Sequence, residues 1–119
     1  MKTIAVIFSH APHGSSFGRE GLDAVLSISA ILKKISLFFI GDGVLQLIKS
    51  YQTKKILSRN YVSSFSILPI LDIKNFYCCK SSLIERGLFN YRHFVLNTTI
   101  LNKETLYLKL DNYDAIINF

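Results

Sequence analysis

Cysteine is scarce in this 119-residue chain: Cys78 and Cys79 are its two, adjacent in sequence. Two thiols do not make a secreted disulfide scaffold, so a reducing compartment, the cytosol, is the expected setting. Charge is thin as well, at 18% of residues against 50% hydrophobic. That balance excludes a disordered polyelectrolyte and supplies ample apolar side chain for one core, the expectation being a single domain over residues 1–119. Acidic residues are the scarcer sign, eight against fourteen Lys and Arg, for a net charge of +6. The basic residues are scattered, with Lys33-Lys34 and Lys54-Lys55 as isolated pairs. No dense phosphate-binding patch results, and direct contact with nucleic acid is not expected.

Long hydrophobic runs are missing too. The uncharged apolar region from Tyr61 to Leu71 falls short of the roughly 18 to 20 residues that cross a bilayer, and it contains Pro69. Lys2 is followed only by the short run Thr3 to Phe8, too little for a signal peptide. Neither G-x-G-x-x-G nor G-x-x-x-x-G-K-[ST] occurs, which leaves no dinucleotide or Walker-type phosphate cradle. No repeat or low-complexity tract is visible.

What is present is an alternation of strand and helix patterns. Lys2 to Ser9 reads as a buried strand from its continuous apolar run. Pro and Gly punctuation in His10 to Ser16 ends it, and Leu22, Val25, Leu26 and Leu32 then recur at helical spacing, predicting a helix over Gly18 to Lys33. Ile35 to Ile40 is a second strand closed by Gly41-Asp42-Gly43, followed by a short helix over Val44 to Lys49. The spacing of Ile56, Leu57, Tyr61, Val62, Phe65 and Leu68 predicts a helix between Thr53 and Leu68. Ile73 to Cys79 is a third strand, Lys80 to Arg86 a helix stopped by Gly87, and His93 to Asn97 a fourth strand. Lys103 to Leu110 reads as a helix with Leu106 and Leu110 inward, and Ala115 to Phe119 as an edge or penultimate strand. The sum is an α/β fold: three layers, a mostly parallel five-stranded sheet and helices on both faces.

In such sheets reactive groups gather beyond the carboxyl ends of the strands. Four segments are placed there: His10 to Ser16, Gly41-Asp42-Gly43, Cys78-Cys79 and Asn97-Thr98-Thr99. Cys79 is the most reactive candidate, since it precedes a helix and adjoins Lys80, both of which favour a thiolate. On spacing alone, filling space in the core is the stronger role for both cysteines, and more so for Cys78 than for Cys79. Adjacent cysteines lack the geometry of a C-x-x-C pair, so a dithiol switch is disfavoured. His10 and His13 have no third ligand in register, and no metal or cofactor is expected. Asp42 is expected to cap the following helix, and Arg86 to support the end of its own.

Several strings in fixed order carry a resemblance. They are Phe8-Ser9 with Ala11-Pro12-His13-Gly14, then Gly18-Arg19-Glu20-Gly21-Leu22-Asp23-Ala24, and Phe38-Phe39-Ile40 leading into Asp42-Gly43-Val44 with Gln46-Leu47. Asp72-Ile73, Cys79 with Ser82-Leu83, Glu85-Arg86-Gly87-Leu88, Asn112-Tyr113-Asp114 and Phe119 follow. Together they resemble the TusC/DsrF family, a branch of the DsrE-like sulfur-relay proteins. His10, where that family usually has a smaller residue, and the extra thiol Cys78 depart from it.

The resemblance implies a DsrE-like fold with flavodoxin-like topology. It also implies a cytoplasmic subunit of a TusBCD-like heterohexamer, a dimer of heterotrimers with TusB-like and TusD-like partners. That complex passes persulfide sulfur, by way of a TusE-like carrier, to the enzyme that makes 2-thiouridine at the tRNA wobble position. In the family the relay cysteine belongs to the TusD-like subunit, which makes this chain a structural and recognition subunit, itself non-catalytic. The alternatives are a direct sulfur carrier acting through Cys79 and a flavodoxin-like small-molecule binding module.

Overall fold

The computed structural model describes residues 2–12, 14, 16–31, 34–48, 62–91 and 93–119. Strands β1 (Ile4–Phe8), β2 (Ile35–Phe39) and β3 (Asn75–Cys79) form where the apolar runs predict them, each shorter by one to three residues. Helix α1 covers Phe17–Ser29, α2 Lys80–Glu85 and α3 Lys103–Leu110, and β5 is Ala115–Asn118. Two 3-10 segments, Gly41–Leu47 and Val62–Leu71, lie between β2 and β3. The expected helix over Val44 to Lys49 is therefore a 3-10 turn that begins earlier. His13, Leu32, Lys33, Lys49 and the residues of the expected Thr53 to Leu68 helix before Val62 lie outside the described residues.

The fourth strand differs from expectation. β4 is Thr99–Leu101, paired in parallel with β3, while Phe94 makes only an isolated antiparallel bridge to Ile48. The apolar run Phe94-Val95-Leu96 was misread because burial alone does not make a ladder. Leu96 is buried and Phe94 and Val95 pack against the core, but from a loop.

The sheet order is β4-β3-β2-β1-β5, with every ladder parallel. β1 to β4 succeed one another in one direction, and the chain then crosses the sheet through α3 to add β5 beside β1. In the flavodoxin order 2-1-3-4-5 the second strand flanks the first from outside; here the last strand does.

Period-two alternation sorts the strand residues onto two faces. On one, Val6, Phe8, Leu37, Phe39, Phe76 and Cys78 pack with Leu22 and Val25 of α1, Val44 and Leu47, Phe65 and Leu68, and Leu83 of α2. On the other, Ala5, Ile7, Phe38 and Cys79 pack under Leu106 and Leu110 of α3. Leu106 and Leu110 are thus inward, as their spacing requires. α3 starts at Asn102, whose Oδ1 accepts from the Thr105 amide at 2.8 Å.

Two glycines make close packing possible. A Cβ on Gly21 would meet the rings of Phe8 and Phe119, so α1 can approach the sheet only without one. A Cβ on Gly43 would overlap the Phe8 carbonyl, whose oxygen accepts from the Ile40 amide at 3.0 Å. The segment after β2 is thereby drawn tightly over the end of β1.

Candidate functional site

Adjacent positions in a strand face opposite ways, and this decides what the two cysteines can do together. Cys78 belongs to the core layer under α1, Cys79 to the layer under α3. Both are free thiols, and with the sheet between their side chains a dithiol pair has no route to form.

Their environments differ just as sharply. Cys78 is fully enclosed, and burial, reinforced by the neighbouring Cys79, pushes its thiol up from an ordinary 9.0 to about 12. Cys79 ends β3 and is the residue from which α2 departs. Burial works against its thiolate too, but hydrogen bonds from the side chains and backbone amides of Ser81 and Ser82 outweigh it and leave the thiol below its ordinary value. Its Sγ lies 3.2 Å from the Ser81 Oγ. The side chain is nonetheless only 3% exposed.

The expected source of thiolate stabilisation is therefore corrected in part. Lys80 holds its Nζ over the Phe89 ring, 5.3 Å from the centroid, and the two serines do the work assigned to it. A Ser-Ser pair two and three positions after a strand-end cysteine was the available signal, since hydroxyls and amides in the first turn of a helix converge on the residue before it.

Ser82 is also the joint of the site. Its Oγ accepts from the Gly41 amide at 2.9 Å, and its carbonyl accepts from Arg86 Nη1 at 3.0 Å. Arg86 in turn grips Asp42, donating through Nε at 3.0 Å and Nη2 at 2.8 Å to Oδ1. Asp42 was expected to cap the helix after it; instead it pairs with a residue 44 positions away, and no side chain caps that 3-10 segment. Arg86 does support the end of α2, and through Asp42 it also fastens α2 to the turn after β2.

The other candidates divide. The His10 ring stacks on Phe17, with centroids 4.3 Å apart, and its Nδ1 lies 3.4 Å from Ser9 Oγ. Buried Gln46 donates to the His10 carbonyl at 3.1 Å, an anchor between the first loop and the turn after β2 that sequence reasoning missed. Asn97-Thr98-Thr99 is not at the carboxyl ends: Thr99 opens β4, so the segment lies at the opposite end of the sheet. Among the described residues no three His, Cys, Asp or Glu side chains gather to hold a metal ion, and no helix is long and apolar enough to cross a membrane.

Comparison with known proteins agrees over the whole chain. The model of the DsrE/DsrF-like family matches residues 2–119. Curated proteins named Protein TusC are similar along their full length: one from Buchnera aphidicola subsp. Acyrthosiphon pisum is 67% identical over 119 residues, one from Buchnera aphidicola subsp. Schizaphis graminum 64%, and one from Buchnera aphidicola subsp. Baizongia pistaciae 54%, each covering 100% of both chains. Among solved structures the ychN protein of E. coli superposes with a TM-score of 0.82 at 18% identity, covering 100% of both chains, a likeness of fold.

Proposed function

The chain belongs to the DsrE/DsrF-like family, and from that premise we propose that it is a sulfur-relay protein, a cytoplasmic subunit of a TusBCD-like complex serving 2-thiouridine formation at the tRNA wobble position. Its role there is structural and recognitive, and it acts as a single domain beside TusB-like and TusD-like subunits. The observation that carries the reading is the full-length identity of 67% to proteins named TusC.

Two features of the molecule support a subunit over a free-standing catalyst. The best thiol, Cys79, is almost wholly covered. Apolar side chains stand in solvent on several elements, with Ile70 81% and Leu108 69% exposed and Ile84, Ile116 and Phe89 also open. Obligate interfaces bury such surface, commonly more than about 2,000 Å².

Co-purification with TusB-like and TusD-like partners tests the proposal. Stable recovery of a three-subunit complex is expected; a fully soluble monomer that ignores both partners would refute it.

A second reading is favoured by the lowered Cys79 titration. In it the Cys79 thiolate attacks the outer sulfur of a donor persulfide, forming a Cys79 persulfide and releasing the donor thiolate, with no oxidant consumed. Cys79→Ser separates the two readings. A subunit role predicts undiminished tRNA thiolation in the variant complex, whereas an essential carrier role predicts its loss.

A further inference from the structure

At the amino-terminal edge of the sheet, opposite the cysteines, a cavity of about 210 Å³ lies between the strands and the end of α3. Its lining is Thr3, Lys34, Ser36, Asn75, Lys109, Asn112 and Tyr113. Every one of these side chains can donate a hydrogen bond, two carry positive charge, and none is acidic. The volume accommodates a tetrahedral oxyanion with room for a small substituent.

The cavity is built by the fold. Ser36 is the one polar residue of β2, whose sequence is otherwise Ile35, Leu37, Phe38 and Phe39. It lies in register between Ala5 of β1 and Asn75 of β3, on the face that α3 covers. A small side chain in the central row leaves the space, and Ser36 with Asn75 forms the floor. Lys109, Asn112 and Tyr113, from the last turn of α3 and the loop after it, form the roof. Lys109 is held in place there, its Nζ 4.8 Å from the Tyr77 ring centroid.

Ser36 fixes the floor: the residue is 4% exposed, and it is one of those that line the cavity. Beside the lining, the Asp114 carboxylate accepts from the Thr3 amide at 2.8 Å and lies 3.3 Å from the Thr3 hydroxyl, one negative charge against the two lysines.

We propose that this cavity binds a phosphate group, as free phosphate or as a small phosphomonoester, through Lys34, Lys109, Ser36 and the Asn75 and Asn112 amides. The site is distinct from the cysteine end of the sheet and does not depend on sulfur transfer. Charge-assisted donors on a dianion supply most of the affinity.

The test is titration of the full-length protein, alone or in its complex, with inorganic phosphate and separately with glycerol 3-phosphate at low ionic strength, followed by amide NMR shifts. Saturable one-to-one shifts at Ser36, Asn75 and Asn112 are expected, weakened about tenfold by Lys109→Gln and several-fold by Ser36→Ala. Tighter binding of the ester than of phosphate identifies a phosphomonoester as the ligand; equal binding identifies the free ion. Unfolding curves matching the wild type confirm that both variants are folded. Shifts that do not saturate, or that persist unchanged in folded Lys109→Gln and Lys34→Gln proteins, would overturn the proposal.

Discussion

At Cys79 two opposing effects meet, and the outcome is measurable. Burial favours the thiol, while Ser81 and Ser82 donate to the thiolate and prevail. Alkylation by iodoacetamide should therefore begin at Cys79 at a lower pH than for an ordinary cysteine, and Ser81→Ala should move that onset upward. The rate at the plateau should be slow, because the sulfur is nearly enclosed. Cys78 behaves oppositely. Its folded thiol ionises near 12, against an ordinary 9.0, so between those values the unfolded chain has lost a proton that the folded chain retains. Stability must then fall as pH rises through that window. Urea unfolding at a series of alkaline pH values checks this, and Cys78→Ala should flatten the slope. For Cys79 the sign reverses: its contribution is present above the ordinary thiol value and is lost as pH falls through the lowered one. Gly43 has a strict steric demand, since a Cβ there collides with the Phe8 carbonyl. Gly43→Ala should cost at least about 3 kcal/mol in urea unfolding, or abolish folding.

Between elements, the Asp42–Arg86–Ser82 clasp joins the turn after β2 to α2. Asp42 is largely exposed and Arg86 only partly buried, so the ion pair itself is worth well under the cost of a buried one. Arg86→Ala should cost about 1–2 kcal/mol, most of it from the Ser82 carbonyl left without its donor, whereas Asp42→Asn should cost under about 1 kcal/mol. Asn102→Ala should cost about 1 kcal/mol through the lost cap of α3. The clasp was invisible in the sequence because its partners are 44 residues apart, and a Gly-Asp-Gly turn reads locally as a cap. Strands β1, β2 and β3 were legible because both of their faces are covered, which leaves continuous apolar runs. β4 was not: Thr99-Ile100-Leu101 is a short edge strand with little of its surface buried, while Phe94-Val95-Leu96 nearby has the stronger apolar pattern without the ladder. At the site, the strand end placed Cys79 and the expected helix start at Lys80 was right, but the adjacent charge of Lys80 drew attention from the Ser81 and Ser82 donors that tune the thiol.

For the molecule as a whole, the sheet's two faces divide the thiols, and the exposed apolar side chains stand largely apart from the covered Cys79. Ile70 lies on the second 3-10 segment, Leu108 on α3 and Ile116 on β5, so the apolar surface is distributed around the fold. That distribution suits a subunit with more than one neighbour better than a monomer with one docking patch. Covering these residues should raise stability by mass action, so the melting temperature of the chain should climb when TusB-like and TusD-like partners are added. In the proposed function the chain assembles a relay whose transferred sulfur is carried by another subunit. Native mass spectrometry of the co-expressed complex, after exposure to a persulfide donor, tests it most directly. One copy of this chain per TusB-like and TusD-like subunit is expected, with added sulfur mass on the TusD-like subunit and none on Cys79; a lone, unassociated chain, or sulfur mass accumulating on Cys79, would contradict the proposed role.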